Sequence, residues 1–82
     1  MTKQAEAVRK LLEEKLQELY EKRNNMKQEY YAAKAAATSR EEVQALKESY
    51  YQAKNNLYDE IREVKQAIDD INDYGLLETS NI

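Results

Sequence analysis

Eighty-two residues make at most one small domain, and with 35% of them charged and 41% hydrophobic only a single thin apolar seam is available for burial. The absence of Cys and His excludes disulfides, thiolate nucleophiles, His-based acid–base catalysis and ordinary zinc sites; a carboxylate-only metal site is left, but no spacing suggests one, and Glu, Lys and Tyr have no expected concave site to shift their pKa values, so no metal or cofactor is expected and the chain is not expected to be an enzyme. The net charge of −3 is too small to mark, by itself, a nucleic-acid binder or an acidic tail.

Pro is absent and the single Gly is Gly75, so neither strong helix breaker interrupts the first 74 residues. Long helices follow. The first is expected over about 3–37: Ala5, Val8, Leu12, Leu16, Leu19, Met26, Tyr30 and Ala33 recur at steps of three and four, with Arg23 in the one polar slot. Arg23 reads as a polar layer that fixes register, its stem snorkelling past a small neighbour, Ala53.

The stripe has to stop near Thr38. Continued by sevens from Ala33 it reaches Arg40, Lys47 and Lys54, so one unbroken helix dimerising along its length would carry its apolar seam into charge. A turn at about 38–39 avoids this. Ser39 followed by Glu42, or Thr38 by Glu41, has the capping-box spacing that starts a new helix.

The second helix is expected over about 40–74, on the stripe Val43, Leu46, Tyr50, Ala53, Leu57, Ile61, Val64, Ile68 and Ile71. Gly75 reads as its terminator and 76–82 as a short tail. Residues 1–75 would then form one unit, an all-α antiparallel two-helix coiled-coil hairpin. Mirrored about Thr38, the stripes pair Ala33 with Val43, Tyr30 with Leu46, Met26 with Tyr50, Leu19 with Leu57, Leu12 with Val64, Val8 with Ile68 and Ala5 with Ile71. Each stripe has one four-four step, near Leu12 and near Leu57, which relaxes the supercoil locally. The first helix carries eight basic and six acidic residues, the second, as far as Asp73, five and nine. Opposite signs therefore lie side by side, and Lys3, Arg9 and Lys10 are expected near Asp69, Asp70 and Asp73.

A local repeat flanks the bend: Lys27-Gln-Glu-Tyr-Tyr-Ala-Ala-Lys34 and Lys47-Glu-Ser-Tyr-Tyr-Gln-Ala-Lys54 share Lys-x-x-Tyr-Tyr-x-Ala-Lys. Folding brings them together. Arg23, Lys27, Tyr30, Tyr31, Lys34, Lys47, Tyr50, Tyr51 and Lys54 then form a candidate interaction patch, since Tyr and Arg are enriched at interface centres. The plain reading makes Tyr30 and Tyr50 seam residues, sets Tyr31 and Tyr51 beside the seam in an oligomer interface and leaves the lysines a solvated rim. From Lys22 to Lys54 there are seven basic and four acidic residues, and in the remainder six and twelve, so the bend half is positive and the other half negative.

A two-helix hairpin leaves apolar flanks uncovered, which predicts self-association, a homodimer forming a four-helix bundle first. Leu11, Tyr20, Tyr31, Tyr51 and Tyr58 lie off the seam as candidates for the second contact face. The Ala-rich tip from Ala32 to Ala37, Lys34 apart, allows close approach or receives larger side chains of a partner. The architecture resembles the Rop family of helical-hairpin dimers, which bind RNA hairpins, in helix-turn-helix patterning alone. Tyr74-Gly-Leu-Leu-Glu78 also resembles the Tyr-x-x-x-Asp/Glu element of the secreted hairpins that carry Trp-x-Gly at their bend, a motif this Trp-less chain lacks.

The functional expectation is a protein-binding regulator, inhibitor, adaptor or assembly factor, of the size of a bacteriophage or mobile-element accessory protein. Nucleic-acid binding through the Tyr/Lys patch is the alternative. No run of about 18 apolar residues is present and the N-terminus lacks the pattern of a signal peptide, so a cytoplasmic protein with no membrane partner is expected.

Overall fold

The computed structural model describes residues 3–80, and side chains as far as Asp73. Helix α1 spans Lys3–Ala36 (34 residues) and helix α2 spans Arg40–Ser80 (41 residues). At 1.5 Å per residue these are about 51 and 62 Å long. The Cα envelope measures 65 × 15 × 11 Å, so the two helices lie side by side in a layer one helix thick. This is the expected all-α hairpin. None of the described helices is long and apolar enough to cross a membrane.

The bend is built by residues 37–39. The Ala37 N–H donates to the Lys34 carbonyl (3.3 Å), closing the end of α1. Ser39 is the N-cap of α2: its Oγ accepts from the Glu42 N–H at 3.1 Å. The Glu42 carboxylate reaches back to the Thr38 N–H (3.0 Å) and the Thr38 hydroxyl (3.3 Å), one residue earlier than a standard capping box, so Thr38 and Ser39 share the cap. Glu41 and Glu42 in the first turn also face the positive end of the helix dipole.

The core is small. Leu19 (3% exposed), Leu57 (4%) and Ile61 (4%) are buried, with Leu16, Tyr20, Met26 and Val64 packed around them. Leu19 is buried in one cluster with Leu57, its mirrored partner, and Ile61, one turn further along α2, and the contacts nearer the bend and the open end show the same one-turn offset. The Tyr30 ring stacks on Tyr50, four residues beyond Leu46, its expected partner. The cause is the tilt of every Cα–Cβ bond toward its helix N-terminus: α1 side chains lean away from the bend and α2 side chains toward it.

The seam of α1 also differs from the apolar reading. Val8 is 47% exposed, whereas Arg9 is half-buried and donates to the Asn72 side-chain oxygen at 3.2 Å. With Arg9 in the seam the stepping from Ala5 through Leu12, Leu16, Leu19, Arg23, Met26, Tyr30 and Ala33 becomes an uninterrupted heptad, so the expected four-four step near Leu12 is absent. A regular three-four repeat keeps the seam facing the partner helix of a left-handed pair, and this outweighs the greater apolarity of Val8. The long Arg stem packs along the seam while its head reaches polar atoms.

Two further expectations are corrected. Helix α2 passes through Gly75 instead of ending there, since one interior Gly costs only about 1 kcal/mol relative to Ala. Of the expected tail 76–82, the backbone as far as Ser80 belongs to α2, and its side chains, with those of the Tyr74–Glu78 element, lie outside those described. Among the described residues, both ion pairs, Arg9–Glu13 and Arg62–Asp59, lie within single helices. Lys3, Arg9 and Lys10 therefore form no ion pair with Asp69, Asp70 or Asp73, and Arg9 bonds to Asn72 instead.

Candidate interaction site

The two helices leave a groove on each side of their plane, and the heptad stepping decides which residues line which. On one flank near the bend lie Met26, Glu29, Ala33, Leu46, Ser49 and Ala53. Lys22, Asn56 and Glu60 continue it. On the other, Arg23, Asn24, Lys27, Tyr31, Tyr51, Lys54 and Tyr58 surround the edges of Tyr30 and Tyr50 in a hollow of about 360 Å³.

The Tyr30 and Tyr50 rings form the hollow's floor, 4.3 Å apart at 15°. Tyr31 tilts against Tyr30 (5.5 Å, 56°) and Tyr51 against Tyr50 (5.7 Å, 54°), so the Tyr-Tyr repeats build a four-ring array. The inner pair is half-buried and the outer pair exposed, as their places on and beside the seam require. Tyr30 and Tyr50 thus sit at the seam, and both also border the hollow.

The Lys54 ammonium lies 5.9, 5.8 and 5.7 Å from the ring centroids of Tyr50, Tyr51 and Tyr58. Its stem thus crosses the aromatic surface, which is why this lysine is half-buried. Lys34 stands 6.0 Å from the Tyr30 ring, and the Arg23 guanidinium 4.9 Å from Tyr20. Each is an attraction between a cation and a ring face, worth about 0.5–1 kcal/mol at exposed sites. No carboxylate lines the hollow, so its field is positive and its walls aromatic.

Seven of the nine patch residues expected from sequence line this hollow. Lys34 joins through Tyr30, while exposed Lys47 makes no ring contact among the described residues. Arg23 does snorkel, but toward Tyr20 and the hollow; Ala53 lies on the opposite flank beside Met26. Asn24 and Tyr58 also line the hollow, outside the nine residues expected from sequence. Tyr58 had a legible signal, seven residues after Tyr51 and four after Lys54. Tyr20 extends the aromatic surface, with Lys65 over its ring at 5.7 Å. Asn24 carries no sequence signal of its own.

Among the described residues no group of His, Cys, Asp or Glu could hold a metal ion. In comparisons with family models, curated proteins and solved structures, nothing matches this chain.

Proposed function

We propose that this chain is a small non-catalytic helical protein acting by protein–protein interaction, as a regulator, inhibitor, adaptor or assembly factor, and that it also self-associates as a homodimer. A cytoplasmic accessory role of the kind small bacteriophage proteins fill belongs to the same proposal. One observation supports it above the others: a solvent-open hollow walled by five tyrosines and rimmed by Arg23, Lys27 and Lys54 without a carboxylate. Rigid aromatic side chains bury large area at low entropic cost, and the unbalanced positive rim favours an acidic, partly apolar protein surface.

The test uses two double variants of the full chain. Tyr31→Ala with Tyr51→Ala removes exposed rings and leaves the Tyr30–Tyr50 stack, so binding should weaken by roughly 2 kcal/mol or more while the hairpin persists. Lys27→Glu with Lys54→Glu should slow association and make it less salt-sensitive. Full-strength binding by both folded variants would remove the hollow from the account.

A second reading, nucleic-acid binding, draws on the same rings and cations, with bases stacking on Tyr and phosphates meeting Lys. The six basic and twelve acidic residues outside Lys22–Lys54 weigh against it. Nuclease treatment separates the two: a protein partner remains bound. A nucleic acid instead gives a linear fall of log affinity with log salt, and that slope should become shallower as lysines are removed.

A further inference from the structure

The off-seam residues that the sequence offers as one contact face divide between two flanks. Tyr31, Tyr51 and Tyr58 line the hollow, and Tyr20 adjoins it. Leu11 belongs to the other flank, as does Val8. Val8 precedes Lys22 by two heptads and Glu29 by three, and these two residues line the opposite grooves. Val8 is 47% exposed and Leu11 64%. On this flank, then, two large aliphatic side chains stand out toward the open end, and a groove with Ala33, Ser49 and Ala53 in its wall lies near the bend.

The molecule also exposes more surface than its mass warrants. A compact monomer of 9.7 kDa has an accessible surface of about 5,100 Å². This hairpin exposes 6559 Å². The excess, about 1,400 Å², exceeds the roughly 800 Å² that each partner contributes to a stable interface of standard size.

We propose that this flank docks on a second copy of the chain, with the two hairpins antiparallel, bend against open end, in a four-helix bundle that leaves the aromatic hollow facing outward. The proposal rests on the reading that the protein self-associates, and adds the face and the polarity. If two α1 helices overlap along their full length and both lean toward their N-termini, Val8 falls beside the partner's Ala36 and Leu11 beside the partner's Ala33. Lys15 falls beside the partner's Glu29. Large exposed side chains meet small ones, and a cation meets a carboxylate. The Ala-rich tip thereby receives a partner's larger residues. A bend-to-bend arrangement would instead place groove over groove and leave Val8 and Leu11 far from either. Among the unfavourable meetings of the antiparallel arrangement, which include Glu18 against the partner's Met26, is that of Lys22 with the partner's Lys22 across the two-fold axis.

That meeting supplies the test. The chain has no Cys, so a single introduced one reports cleanly. In the full-length protein Lys22→Cys is expected to oxidise to a disulfide-linked dimer and Ala36→Cys to remain unlinked. Lys22→Leu should tighten the dimer about tenfold by sedimentation equilibrium. Leu11→Asp should weaken it at least a hundredfold with helicity retained, because Leu11 is exposed within the hairpin. Tyr51→Ala should leave the association constant unchanged. Unlinked Lys22→Cys, efficient linkage of Ala36→Cys, or unaltered sedimentation of Leu11→Asp would each overturn the proposal. Dissociation by Tyr51→Ala would do so as well, by placing the interface on the hollow. Partner binding is read separately on the Tyr31 and Tyr51 variant, so either conclusion can fail while the other stands.

Discussion

Tyr30 and Tyr50 lie ring on ring, 4.3 Å apart at 15°, a contact one helical turn away from simple mirroring about the bend. The same stack positions Tyr31 and Tyr51 beside it, which couples the register of the fold to the shape of the hollow. A half-buried side-chain pair at the seam thereby stands directly beside the exposed rings.

The stack should be measurable as a coupling. In a double-mutant cycle of Tyr30→Ala and Tyr50→Ala, the two losses of stability should be non-additive by about 0.5–1.5 kcal/mol, the extra worth of an aromatic pair beyond its buried area. Urea unfolding of the four proteins gives the number. Additive losses would mean that the rings contribute independently.

Core truncation should be severe because the core is so small. Leu57→Ala removes one of the three side chains that are buried among the described residues and should cost about 2–5 kcal/mol. Much of the helical circular dichroism at 25 °C should disappear, since the remaining seam is half-exposed. A fully helical variant would show that stability comes chiefly from contacts outside this cluster.

The cap at the bend predicts a ranking. Ser39→Ala leaves the Glu42 N–H without its side-chain acceptor and should cost about 1 kcal/mol, whereas Ser39→Gly, which the N-cap position tolerates, should cost only a few tenths. Thermal melts of the two variants test the order. Equal melting temperatures would show that Thr38 and Glu42 hold the bend without Ser39.

Arg9 occupies a seam position that an aliphatic residue could fill. Arg9→Leu should raise the melting temperature by several degrees, as expected for about 1 kcal/mol in a domain of this size, because the apolar stripe then runs unbroken as far as Arg23. A lowered melting temperature would give the Arg9–Asn72 bond more weight than the heptad argument does.

Much of this structure was legible in the sequence, and what was not has identifiable causes. The two stripes and the charge that a continuous helix would bring into its seam located the bend, and Ser39 with Glu42 supplied the cap. The repeated Tyr-Tyr pairs located the four-ring array, since a fold at Thr38 brings them together. Register was missed by one turn because a mirror of residue numbers ignores the lean of side chains along a helix. Apolarity alone points to Val8 as the seam residue, whereas regular stepping, which the structure follows, places Arg9 there. The division of Leu11 from the tyrosines was missed because being off the seam does not say on which side. Gly75 was read as a stop, although a lone Gly imposes only a modest cost on a helix.

The aromatic hollow is proposed as a protein-binding surface. It is tested most directly by replacing Tyr51, which is exposed at the hollow's edge, with a photoreactive benzoylphenylalanine in the full-length chain and irradiating a nuclease-treated lysate of its native host. The account predicts a discrete protein adduct that Lys27→Glu with Lys54→Glu abolishes and that the same probe at Asp70 does not form. Adducts to nucleic acid alone in an untreated lysate, or a protein adduct from Asp70 and none from Tyr51, would contradict it.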